Sequence, residues 1–156
     1  MGQPVSLTLD LTGTVQSRCG FAAAPAQDTT LSAVDTAGQI ALPFKLDCNA
    51  PFAVKISSVN GALSHVGAVS APPTFATSLD YIVALSVNTD LVPVSGRCAA
   101  STLSSQACSF AAGLSSGDGV GIGTDGALIV TWTPPAQKLV AGSYQDSLTV
   151  TVEVRT

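Results

Sequence analysis

Any chemistry in this chain would have to start from four cysteines, Cys19, Cys48, Cys98 and Cys108, and a single histidine, His65. Zinc sites are built from closely spaced ligand pairs, and no Cys-x-x-Cys occurs here, so no metal centre is expected. An even number of cysteines in a Ser- and Thr-rich chain of low charge reads instead as two disulfides formed in an oxidising compartment. Three pairings are open. Cys19–Cys48 with Cys98–Cys108 is favoured, because sequential pairing puts one closed loop in each half of the chain. Each bridge would contribute on the order of 3 kcal/mol through loop-closure entropy. The alternative is four buried free thiols in a cytosolic protein.

The remaining candidates for chemistry are weak. His65 lies in the turn-rich Gly61-Ala62-Leu63-Ser64-His65 with no carboxylate near it in sequence, and reads as a solvated loop histidine. Gly121-Ile122-Gly123-Thr124-Asp125-Gly126 matches G-x-G-x-x-G. A dinucleotide loop must open a helix, however, and the residues that follow, Ala127 to Trp132, read as a strand, so these glycines are taken as hairpin turns. No G-x-S-x-G, S-x-x-K or H-E-x-x-H motif occurs. The carboxylates are dispersed, and Asp118, Asp125 and Asp146 stand beside turn residues; a Ca²⁺ site from Asp118 and Asp125 is a poorer account than ordinary turns. Sugar-processing clefts also need aromatic platforms. Beyond its phenylalanines the chain has only Trp132, Tyr81 and Tyr144, which read as core and corner residues. Neither an enzyme nor a cofactor is expected.

At 156 residues the chain is expected to form one domain, 1–156, large enough to bury a real core. Only 10% of residues are charged, 46% are hydrophobic, and the net charge is −4. The six basic residues, Arg18, Lys45, Lys55, Arg97, Lys138 and Arg155, are scattered singly. With no basic stripe, neither nucleic acid nor an anionic membrane surface is an expected partner. Mean hydropathy is +0.44, yet no window approaches 18 uninterrupted apolar residues, so a soluble chain without membrane insertion is expected. Met1-Gly2-Gln3-Pro4 lacks the charged and apolar regions of a signal peptide; with the cysteines, this reads as the mature terminus of an exported protein.

The elements that must position these residues follow a period of two. Over 5–15 the odd positions are Val5, Leu7, Leu9, Leu11, Gly13 and Val15, and the even ones are polar. Further strands are expected at 39–47, 52–59, 79–87, 109–114, 127–133 and 148–155, without helices. Turn signals separate them at Asn60-Gly61, Ala71-Pro72-Pro73, Gly117-Asp118-Gly119, Asp125-Gly126, Pro134-Pro135 and Ala141-Gly142. About seven short strands at such spacing indicate a β-sandwich. The chain ends at Thr156 just after a strand whose Leu148, Val150, Val152 and Val154 share one face, with Thr149, Thr151, Glu153 and Arg155 on the other, and this edge reads as unprotected.

With these residues in view, the chain resembles the spore coat protein U family, which includes the Csu-type subunits of archaic chaperone–usher pili. The resemblance spans nearly the whole length. Its carriers are the stretch from Leu9-Asp10-Leu11-Thr12 to Cys19, Phe44-Lys45-Leu46-Asp47-Cys48-Asn49-Ala50-Pro51-Phe52, Asn60-Gly61, Leu79-Asp80-Tyr81, and Ala141-Gly142-Ser143-Tyr144-Gln145-Asp146 before the final strand. The ending is the most specific. Cys98 and Cys108 depart from the simplest two-cysteine subunits. The resemblance implies an all-β fold, an immunoglobulin-like, pilin-type β-sandwich that is incomplete and is completed by a donor strand. Residues 1–15 would be the N-terminal donor extension, with Val5, Leu7, Leu9 and Leu11 as donor side chains and Gly13 where the groove is shallow. Leu148, Val150, Val152 and Val154 would edge the acceptor groove. The alternative is that 5–15 forms the chain's own first strand.

The expected function is therefore that of a structural subunit of a surface pilus or related secreted fibre, assembled by donor-strand exchange. The implied partners are identical or related pilin subunits, a periplasmic chaperone and an outer-membrane usher. The chain would pass through the periplasm to the cell surface. The rival expectation is a secreted or tip-adhesin module that binds a surface or carbohydrate.

Overall fold

The computed structural model describes residues 2–24, 28–31, 33–67 and 72–155; Met1, Ala71 and Thr156, named above, lie outside them. Along the chain the strands are β1 (Cys19–Ala23), β2 (Gly38–Cys48), β3 (Phe52–Ser58), β4 (Leu63–His65), β5 (Phe75–Ala76), β6 (Ser78–Leu79), β7 (Tyr81–Val87) and β8 (Val94–Ala99). A 3₁₀ turn (Ala100–Thr102) and one turn of helix, α1 (Ser109–Ala112), follow. The chain continues through β9 (Leu114–Ser115), β10 (Gly121–Trp132), β11 (Lys138–Leu139), β12 (Tyr144–Gln145) and β13 (Leu148–Val154).

The fold is an all-β sandwich. Five antiparallel strands in the order β1-β2-β10-β7-β8 form the larger sheet, and β13-β3-β9 forms the second main sheet. A short β12-β4-β6 sheet and a parallel β11–β5 pair are further pieces. Alternation decides what is buried: the even residues Phe44, Leu46 and Cys48 of β2 and Leu128, Val130 and Trp132 of β10 face inward with the odd Val83, Leu85 and Val87 of β7. Phe52, Val54 and Ile56 of β3 enter the same core from the other sheet. Trp132 satisfies its indole N–H by donating to the Thr36 carbonyl at 2.9 Å.

The strands expected at 39–47, 52–59, 79–87 and 148–155 match β2, β3, β6 with β7, and β13 to within a residue or two. Three expectations are corrected. The segment 109–114 reads as a short strand, but Ser109–Ala112 is helical and only Leu114 and Ser115 pair with β3. The reason is tertiary: the Cys98–Cys108 bridge ties the start of α1 to β8, and this one turn aims Phe110 into the core, where it is fully buried. The glycines of 121–126, read as hairpin turns, lie inside β10; Asp125-Gly126 faces Lys45 and Phe44 of β2. Gly123, at φ +62°, absorbs a bulge between Ile122 and Thr124 that lets the strand continue. The third is the alternative in which 5–15 forms the chain's own first strand: residues 2–17 join no sheet, and the first strand begins at Cys19.

Strands β1 and β8 and the two-residue pieces gave no periodic signal long enough to read. Both disulfides form as the favoured pairing has it, Cys19–Cys48 and Cys98–Cys108. Cys19 and Cys48 stand directly opposite each other on β1 and β2.

Phe110 carries the packing of the disulfide-closed excursion onto the sandwich. Phe110→Ala is expected to destabilise the protein by about 3–5 kcal/mol, read as a lowered urea midpoint with both bridges intact. A loss below about 1 kcal/mol would mean that α1 is an ornament on the fold.

Candidate functional site

The arm of residues 2–17 is apolar on alternate positions and exposed throughout. Val5, Leu7, Leu9, Leu11 and Val15 are between 73% and 96% exposed, which is far from what side chains of this type adopt when their own chain can cover them. Gly13 has no steric reason in its own chain, since a Cβ built there meets nothing within 4 Å.

The arm is nonetheless firmly rooted. The Asn49 carboxamide donates to the Gln16 carbonyl at 2.9 Å and accepts from the Arg18 N–H at 2.7 Å, while the Asn49 N–H donates to the Arg18 carbonyl at 3.1 Å. Arg18 holds Asp47 in a forked pair, Nε to Oδ2 at 2.8 Å and Nη2 to Oδ1 at 3.2 Å. Hydrogen bonding from that guanidinium draws the Asp47 carboxyl below its usual pKa range. The Asn49 side chain thus serves residues 16–18 as a strand backbone would, and prolongs the line of β1 past Cys19.

The sandwich also has an open seam. Among the described residues β13 pairs only with β3, through the register Val150↔Ile56, Val152↔Val54 and Val154↔Phe52. The β3 members of these pairs are at most 2% exposed. Their direct neighbours Leu148, Val150, Val152 and Val154 face the same way and are only half-buried. Exposure thus appears one strand further out, where the sheet stops. The facing sheet is incomplete at the same margin: β1 pairs with β2 only over Lys45 to Cys48, so the first half of β2 has one free edge, and its inward Ile40 and Leu42 are half-buried. Phe21 of β1 packs edge-on against Phe44 at 5.5 Å, and β1 lies against β13. Phe21, Ile40 and Leu42 are the half-buried inward residues of the larger sheet at this margin; their alternation was legible in sequence, but not that this stretch of β2 lacks a neighbour on one side.

The start of β13 is fixed by side chains. Asp146 accepts from Ser58 Oγ, from Tyr81 OH at 2.5 Å, and from the N–H groups of Asn60 at 2.9 Å and Ser147 at 2.8 Å. It is a fully used acceptor that joins β3, β7 and the entry to β13, not a turn residue left to solvent. Burial first, and this hydrogen bond second, push the Tyr81 phenol well up from its ordinary range. Tyr144 makes a corner by donating to the Val140 carbonyl at 2.6 Å. His65, expected in a solvated loop, ends β4 half-buried, with Nε2 donating to the Ala141 carbonyl at 3.1 Å and its ring edge-on to Tyr144. Gly142 at φ +145° leaves room for that ring; a Cβ there would lie 2.1 Å from Nε2.

These groups shape a backbone edge and do not converge on a reacting atom. Among the described residues no three His, Cys, Asp or Glu side chains stand close enough to hold a metal ion. Asp125 is engaged with Lys45 at 2.7 Å on the outer face of the larger sheet, and Asp118 is exposed in the turn before β10. A depression of about 300 Å³ lies over β3 and β13 and includes Lys55, Ser57, Phe110 and Thr149. No helix among the described residues is long and apolar enough to cross a membrane. What the site offers is a row of unpaired main-chain groups flanked by an apolar trough, which is the chemistry of strand addition.

A tyrosine whose folded pKa lies above the unfolded value of about 10 stabilises the fold fully below that pH, and ceases to do so as pH rises through the folded value. Tyr81→Phe is therefore expected to cost about 1–2 kcal/mol near neutral pH, by removing a donor to Asp146. It should also make the loss of stability above about pH 10 shallower than in the wild type. Urea midpoints across that range check both; equal slopes would remove Tyr81 from the alkaline response. No protein-family model and no curated protein sequence matches this chain.

Proposed function

We propose that this chain is a structural subunit of a surface fibre, in which one copy lends residues 5–15 as a strand to the free edge of β13 on the next copy. One observation carries the reading: the same chain has an alternating apolar arm that its own fold leaves exposed, and a half-covered apolar row on an unpaired strand edge. Main-chain groups of β13 would supply affinity, and alternate side chains would supply register. Val5, Leu7, Leu9 and Leu11 would each contribute roughly 1.5–3 kcal/mol on leaving water, before the cost of ordering the arm. Gly13 would lie where the trough is shallow. Because arm and seam are different surfaces, their pairing is head-to-tail and grows an open fibre.

The likeness to the spore coat protein U family and Csu-type pilins points the same way. On that reading the sandwich is an incomplete immunoglobulin-like pilin domain, a periplasmic chaperone covers the seam before assembly, and an outer-membrane usher passes the subunit to the cell surface. The two disulfides fit an oxidising route of export.

Deleting residues 2–12 is expected to abolish the ladder of polymers on a non-reducing, unboiled gel, a ladder that heating collapses in the intact protein. A truncated chain that still gives the ladder would overturn the donor assignment. A synthetic peptide of residues 2–16 should in turn raise the unfolding midpoint of the truncated chain, by about 2.7 kcal/mol when supplied at roughly a hundredfold its Kd.

A further inference from the structure

The two ends of the sandwich carry exposed apolar side chains that neither the core nor the seam uses. At the end where the arm is rooted, Leu91 and Val92 project from the β7–β8 loop, and Ile122 stands on the outer face of β10 opposite Asp47; they are between 58% and 75% exposed. The backbone places them together: Asp90 and Val120 are doubly bonded, through the Asp90 N–H to the Val120 carbonyl at 3.0 Å and the Val120 N–H to Asp90 Oδ1 at 2.8 Å. Gly121, next to Val120, faces Cys48, which is bridged to Cys19 at the root of the arm. At the opposite end, where β13 begins, Val59 and Val66 are 75% and 47% exposed. Both are tied to the segment that leads into β13, the Val59 N–H to the Ser147 carbonyl at 3.0 Å and the Val66 N–H to the Ser143 carbonyl at 2.8 Å.

What covers these residues follows from the tether, and rests on the assembly reading above. The Asn49 clamp holds residues 16–18 on the line of β1, beyond the last residue of β2, so the arm leaves at that end of the body. Only Gln16 and Ser17 separate Val15 from the anchored Arg18, a span of about 10 Å, so the body that receives the arm must touch the body that gives it. It can be entered from either end of β13. Entry at the Val154 end would set two identical arm-bearing ends face to face, which closes a pair rather than growing a chain. That mouth is also flanked by Arg155, whose N–H bonds the Pro51 carbonyl and whose guanidinium bonds the Gly117 carbonyl. Entry at the Leu148 end leaves the arm antiparallel to β13, the slightly stronger pairing, and sets unlike ends together.

We propose that Leu91, Val92 and Ile122 form a second contact surface whose partner is another copy of this chain, at the end that carries Val59 and Val66. Apolar groups from both bodies then leave water at the joint, beside the inserted strand. The surface accounts for exposure at both ends with one contact, and makes the joint between bodies stiffer than a strand linker alone.

The test uses the full chain with its arm intact. In L91D/V92D the ladder should keep its wild-type resistance to heat, because the inserted strand is unchanged. The protein concentration at which half of the chains polymerise should rise by about tenfold or more, the change expected from about 1.4 kcal/mol of lost contact. V59D should raise it as well, and V59K combined with L91D/V92D should bring it back towards the wild type, which a merely misfolded loop would not do. A half-polymerisation concentration unchanged in L91D/V92D, or no rescue by V59K, overturns the contact surface while leaving the donor strand standing. A wild-type chain that forms no ladder at any concentration fails the assembly reading itself.

Discussion

Every inward residue of a β-sandwich needs cover from the facing sheet and from the strands on either side, and among the described residues β13 has a neighbour on one side only. The consequence is graded across a single register: Ile56 and Val54 of β3 are sealed, while Val150 and Val152, their direct partners, are half open. The unpaired main-chain groups of the same strand compound the deficit, since an edge of this kind invites another strand. Asp146, Tyr81 and Ser58 hold the start of β13 in place, so the edge is presented in a fixed position.

The disulfides divide the remaining labour. Cys19–Cys48 fastens the root of the arm to β2 at the point where Arg18, Asp47 and Asn49 also hold it, so an exposed and apolar segment leaves the body from a rigid origin. Cys98–Cys108 closes the short excursion after β8 and sets Phe110 into the core. The first bridge holds the root of the arm, and the second braces the body that carries it. An arm fixed at its base loses less freedom on docking than one hanging from a loose terminus, which favours association.

Much of the body was legible because a long strand with one buried face alternates strictly. Residues 38–48, 52–58, 81–87 and 148–154 announce themselves in this way. Local pattern was also the source of the errors. Ser109 to Leu114 reads as a short strand, yet forms a helical turn because a bridge and a buried phenylalanine outweigh local preference. Gly121 to Gly126 has turn composition, yet runs as a strand because Gly123 takes up a bulge. The His65 and Asp146 environments were not legible at all, since Ala141, Tyr81 and Ser58, which they bond, lie between 65 and 88 residues away in the chain.

By itself the sequence determined the class of fold, the favoured pairing of cysteines and the presence of two apolar rows at 5–15 and 148–154, because period, composition and cysteine order are local or countable properties. It could not say whether 5–15 joins its own sheet. That was decided in three dimensions, where β1 starts at Cys19, the Asn49 clamp holds the chain beyond it, and no strand among the described residues pairs with the second edge of β13. An apolar row reads the same in sequence whether or not its own chain covers it; only the burial of the row tells the two apart.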